Sequence, residues 1–212
     1  MGDAASFIDP LSSFGMKKAL ASAWLGAVVV HSCLIDPSIT AAALDLHERR
    51  ELEMYTRLSR EAASLFAAAG SDHGHRFWAA RAAGEEDFTD ELSPGFLRQD
   101  PGVQAAFHSL RHTEGIAVVP AADVRFAPQP LVSGYRVVMA DHLQCEWRPE
   151  GIRYLRNVCI PRMVQLAADS RRVPDLYQRY VALEGATPLP DFLGVLSVLL
   201  ARRVLEPVVG PE

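Results

Sequence analysis

The feature that most constrains this chain is its opening stretch, Met1-Gly2-Asp3-Ala4-Ala5-Ser6-Phe7-Ile8-Asp9-Pro10-Leu11-Ser12-Ser13-Phe14-Gly15, which runs straight into an apolar segment from Met16 to Leu34. Gly2 gives a backbone that another group can approach closely, and Asp3 supplies an acceptor suited to a hydroxyl. Pro10 and Gly15 bracket a tight loop just before a helix N-terminus, where free N–H groups and the helix dipole favour an anion or a polarised oxygen. In outline this is a loop that faces a cofactor.

The motif resembles one in a known family. Gly-Asp-Ala-Ala followed by Asp-Pro-Leu-Ser-Ser-Phe-Gly and a small-residue helix is similar to the second FAD-contact motif of the flavoprotein monooxygenase superfamily, in the branch of flavin-dependent halogenases and related dehydrogenases. The match covers Gly2, Asp3, Ala4, Ala5, Asp9, Pro10, Ser13 and Gly15. The resemblance implies that Asp3 holds a ribityl or ribose hydroxyl of FAD and that Asp9, Pro10, Ser13 and Gly15 lie along the flavin ring. It also implies that the backbone at Phe14 and Gly15 lies where such halogenases keep a halide. A small-molecule or carrier-bound substrate, and electrons from a flavin reductase or from NAD(P)H, belong to the same implication.

The family pattern is incomplete here. The Gly-x-Gly-x-x-Gly turn that holds the pyrophosphate occurs nowhere in the sequence, nor does the Trp-x-Trp-x-Ile-Pro motif of tryptophan halogenases. The expectation is therefore a fragment, the C-terminal part of a longer FAD-dependent oxidoreductase, inactive by itself. The competing expectation is a non-catalytic binding or scaffold module.

An apolar share of 49% across 212 residues is enough to build a core. The net charge of −5, with arginines scattered among acids, argues against a nucleic-acid surface. Cys33, Cys145 and Cys159 are odd in number and lack C-x-x-C spacing, which speaks against a zinc knuckle or a disulfide framework and fits a reducing cytoplasm. The run from Ala19 to Val30 is shorter than the roughly 20 residues a bilayer needs, so a buried helix rather than a membrane span is expected.

The expected fold is α+β and mostly helical: a remnant of an FAD-binding domain over 1–84, a linker over 85–102, and a small α+β domain over 103–212 that resembles a winged-helix module. The first helix is expected to bury Leu20, Ala23, Trp24, Ala27 and Val28. Asp36-Pro37 starts a long helix with a stripe of Leu52, Tyr55, Leu58, Ala62 and Leu65 or Phe66, Asp45–Arg49 and Glu53–Arg57 pairs outside, and Gly70 as its end. His75 to Ala83 is a further helix, with Phe77 and Trp78 packing back. A helix from Val103 to His112 precedes strands at Gly115–Val119, Tyr135–Ala140, Leu143–Trp147 and Ile152–Leu155. Arg148 to Gly151 reads as a type I turn, and Pro128 and Pro130 keep any strand near them short or at an edge. Helices are expected at Pro161–Ala168, Val173–Leu183 and Pro188–Val204.

Candidate chemistry outside the opening loop is thin. His73 and His75 do not share a helix face and have no partner pair of ligands, so no metal site is expected. Asp141-His142 reads as a turn between strands, without a third member to make a triad with Cys145, and Ser12 and Ser13 read as loop and capping residues. No catalytic residue is named by the sequence.

Overall fold

The computed structural model describes residues 6–8, 14–82, 92–112 and 115–209. It is a mixed α and β fold in which helix predominates, with small antiparallel sheets. The chain divides into two compact units, Met1–Phe88 with Gln129–Met139, and Thr89–Pro128 with Ala140–Glu212.

The first unit is built on α1 (Gly15–Ile35), α2 (Thr40–His73) and α3 (Arg76–Ala82). Between α1 and α2 the Asp36 carboxylate accepts from Ser38 N at 3.0 Å and opens a 3₁₀ turn at Pro37–Ile39, the capping geometry that Asp36-Pro37 encodes. The Ser38 hydroxyl and backbone N–H hold the Asp36 carboxyl below its usual range. Gly70 does not end α2. The helix runs on to His73, and Gly74 supplies the left-handed cap (φ 58°), its N–H bonded to Gly70 O. The expected α2 stripe holds at Leu58, Ala62 and Phe66, which are buried with Ala43 and Leu46, whereas Leu52 and Tyr55 are exposed. Asp45 pairs with Arg49 at 3.3 Å, and Glu53 pairs with Arg50 at 3.1 Å. Phe77 and Trp78 pack back on Phe66, with ring centroids 6.4 and 6.0 Å away.

For α1 the expected face is borne out only at Val28. Leu20, Ala23, Trp24 and Ala27 are exposed, and the packed side carries Lys18, Ser22, Leu25, Gly26, Val28, Val29 and Ser32. A helix apolar on nearly every side gives no contrast from which to choose a face, and its small and polar residues allow the close approach. With 21 residues α1 is long and apolar enough to cross a membrane by length and composition, and 39% of its apolar window is buried, so it is not the wholly buried helix expected. A small core forms where Leu25, Val28 and Val29 meet Ala43, Leu46 and Val137.

In the second unit α4 (Pro94–Gln99) and the first two residues of α5 (Pro101–His112) lie within the segment 85–102 expected as linker, each helix opened by a side-chain cap, Ser93 and Asp100. Strand β1 (Ile116–Pro120) pairs antiparallel with β7 (Leu205–Val209), Val118 facing Pro207. β2 (Arg125–Ser133), β3 (Arg136–Cys145) and β4 (Arg148–Ile152) make a sheet in that order. The prolines of β2 stand on an edge strand, but that strand is nine residues long. β3 is one continuous strand, so Asp141-His142 lies within it rather than in a turn. Cys145 pairs with Arg148, which puts the turn at Glu146-Trp147 and Arg148–Gly151 in β4. The short hairpin β5 (Tyr154–Leu155) and β6 (Val158–Cys159) leads into α6 (Ile160–Ala167), α7 (Val173–Glu184) and α8 (Leu189–Ala201). Phe192, Leu196 and Leu199 of α8 are fully buried against Met163, Leu176 and Tyr180, close to the expected stripe.

Candidate cofactor-facing site

Of the seven residues expected to face a cofactor, Gly2, Asp3, Asp9, Pro10 and Ser13 lie outside the described residues; Phe14 and Gly15 are described. Phe14 is the N-cap residue of α1, with helical backbone (φ −86°, ψ −8°) and no side-chain cap. Its carbonyl accepts from Lys18 N at 2.9 Å, the first rung of the helix ladder. The N–H groups of Gly15, Met16 and Lys17 precede that rung and meet no acceptor among the described residues, and the first turn carries no acid. Among the described residues nothing compensates the positive end of the α1 dipole there. Space is open where a side chain on Gly15 would begin, so an outside group has access to the backbone.

One turn on, Lys18 is fully buried, and its Nζ donates to Ser6 O at 2.6 Å. A buried ammonium is costly unless hydrogen-bonded. This bond ties the segment Ser6–Ile8 to α1, with Ile8 buried beside it. The sequence signal was a lysine inside an apolar helix, easily taken for one of the polar residues at a helix start.

The remaining candidates do not assemble into a centre. His75 Nδ1 accepts from Phe77 N at 3.1 Å, a capping role, and among the described residues no cluster of His, Cys, Asp and Glu could hold a metal ion. His142 Nδ1 meets Ala140 O at 2.9 Å, while Asp141 O accepts from Arg153 Nη1 at 2.6 Å. Cys145 and Cys159 are buried, and desolvation pushes both thiols above their usual range, the opposite of nucleophile activation.

The described elements share their fold with two solved enzymes, one of them a flavin-dependent halogenase. Over 95% of its length the chain is similar to QhpG, a peptidyl tryptophan dihydroxylase essential for tryptophylquinone cofactor biogenesis, with a TM-score of 0.54 and 21% identity. Over its whole length it is similar to CmlS, a flavin-dependent halogenase, with a TM-score of 0.58 and 18% identity. It spans 40% of the first chain and 46% of the second. At these identities the likeness is one of fold. No protein-family model and no curated protein matches the sequence.

Proposed function

We propose that the chain is part of an FAD-dependent oxidoreductase of the monooxygenase or halogenase-like kind, and that residues 2–15 are its flavin-contact loop. The observation that carries this reading is a coincidence: the Gly2-to-Gly15 motif ends on a helix N-terminus whose first N–H groups are unclaimed among the described residues and open at Gly15. Flavin, when bound, supplies the redox chemistry, and the chain supplies position and electrostatics. In this role Asp3 accepts a cofactor hydroxyl, and the N–H groups of Gly15, Met16 and Lys17 stabilise negative charge on the ring side of the loop. Lys18 anchors the incoming segment through Ser6 O.

A small-molecule or carrier-bound substrate, with a flavin reductase or NAD(P)H as electron source, completes the reading. The second unit is then a winged-helix-like packing module rather than a DNA reader, since no lysine follows Lys18.

The pyrophosphate turn is missing from this sequence, so FAD should not stay with the chain through gel filtration, and the test must register weak binding. Titrating the chain with FMN while following backbone amide shifts is expected to move residues 2–15 and the first turn of α1, with the response lost in Asp3→Ala. Absent shifts, or shifts centred elsewhere, would overturn the reading.

A further inference from the structure

We infer that the second unit carries a separate binding site for a small apolar carboxylate, in the cavity bordered by α4, α5, the β5–β6 hairpin and α8. The cavity is about 220 Å³. That lies below the roughly 300–1,000 Å³ of sites for drug-sized molecules, so the ligand it takes is small. Leu97, Leu155, Val195 and Val198, all buried, form part of its lining together with Val103 and Phe107. Among the described residues the charged ones lining it are Arg98 and Arg156, both exposed at its edge, and no acid lines it.

The two arginines differ in their circumstances. Arg98 makes no ion pair among the described residues, while Gln104 Nε2 donates to its carbonyl at 2.7 Å and fixes the backbone there. Arg156 stands in the turn between β5 and β6 with φ +52°, a conformation unfavourable for a residue with a side chain. Its Nη1 donates to Asp191 Oδ1 at 2.9 Å, which orients the guanidinium but engages one of its five N–H donors. At Gly194 a Cβ would meet Arg156 Nη1 at 4.0 Å, so bare backbone there leaves space beside the guanidinium. An apolar lining edged by two guanidiniums, Arg156 paired with Asp191 and Arg98 carrying no ion pair among the described residues, selects a ligand with an apolar body and one anionic end.

The site lies wholly within the second unit and does not depend on the flavin reading. 3-Phenylpropionate is the probe, added to the full chain while amide shifts are followed. Saturable shifts are expected at Leu97, Gln104, Leu155 and Ser197, with millimolar to high-micromolar affinity, as befits so small a ligand. The uncharged 3-phenylpropionamide should bind about tenfold more weakly, and Arg98→Gln should weaken the acid by a similar factor. Gly194→Val, whose Cβ meets only ordinary contact and whose two methyl groups take up the space beside the guanidinium, should abolish binding while the rest of the spectrum stays folded. No saturable shift up to about 10 mM, equal binding of acid and amide, or unchanged binding in folded Gly194→Val would each overturn the inference. FMN shifts at residues 2–15 are read separately, so the two proposals fail independently.

Discussion

Arg202 Nη2 donates a 2.7 Å hydrogen bond to Asp100 Oδ2 across 102 residues of sequence, while Asp100 Oδ1 accepts from Gly102 N at 2.8 Å and Val103 N at 3.1 Å. One carboxylate thus caps the start of α5 and ties it to the end of α8. The Val103 N–H is the main cause that holds the Asp100 carboxyl below its usual range, and Arg202 adds to it. A carboxyl with a lowered folded pKa adds stability that is complete above its unfolded value, about 4, and is lost as pH falls through the folded value. Asp100→Ala should therefore cost about 1–3 kcal/mol in urea unfolding at pH 7, and the gap to the wild type should narrow by pH 3. An equal gap at both pH values would rule out a charge-dependent origin.

Tyr180 joins the β6 strand to α7 from inside the core. Its hydroxyl accepts the Cys159 N–H at 2.7 Å, and its ring lies 5.4 Å from that of Phe192. Tyr180→Phe keeps the ring and opens no large cavity, so its effect isolates the hydrogen bond. With the Cys159 N–H left buried and unpaired, the loss should be about 1–3 kcal/mol. Chemical denaturation measures it, and an unchanged midpoint would mean that another acceptor takes over.

Legibility followed local chemistry. The starts of α6, α7 and α8 were readable because Pro161, Pro174 and Pro190 stand in their first turns, and the α8 stripe because Phe192, Leu196 and Leu199 repeat at helical spacing. The packed face of α1 was not readable, since its apolar residues surround the axis. β7 was missed because Pro207 looks like a strand breaker, whereas Pro128 and Pro130 allowed a strand at an edge, where β2 lies, without revealing its nine-residue length. The flavin-contact motif was visible as a string, whereas the burial of Lys18 depends on Ser6 returning to α1, a contact no local pattern encodes. The second-unit cavity was equally invisible, because it gathers Leu97, Leu155 and Val195 from three distant segments.

The three thiols should separate by reactivity. Cys33 is half-buried on α1, whereas Cys145 and Cys159 are buried with thiols pushed up by desolvation. A disulfide reagent at pH 8 should modify one thiol quickly, with the other two reacting only on denaturation. Cys33→Ser should remove the fast phase entirely. Fast reaction of all three in the native protein would mean that the second-unit core opens far more readily than its burial implies.

Ser32 is the first unit's counterpart to Tyr180. Its hydroxyl donates to Val28 O at 2.7 Å within α1 and accepts from Val137 N at 2.7 Å, which fastens β3 to the helix through a residue with 3% of its surface exposed. Val137 is itself 4% exposed, so Ser32→Ala strands a buried N–H at a cost of about 1–3 kcal/mol. Native-state hydrogen exchange locates that cost. The Val137 amide should exchange faster in Ser32→Ala, while Cys159 and Leu196 in the second unit keep their protection, because the opening that exposes Val137 is local to the small core around Leu25, Val29 and Leu46. Ser32→Thr retains a hydroxyl able to reach the carbonyl four residues back and should recover most of the slow exchange. Equal acceleration in both units would show that they unfold as one cooperative body and that Ser32 contributes to the whole rather than to the junction of α1 with β3.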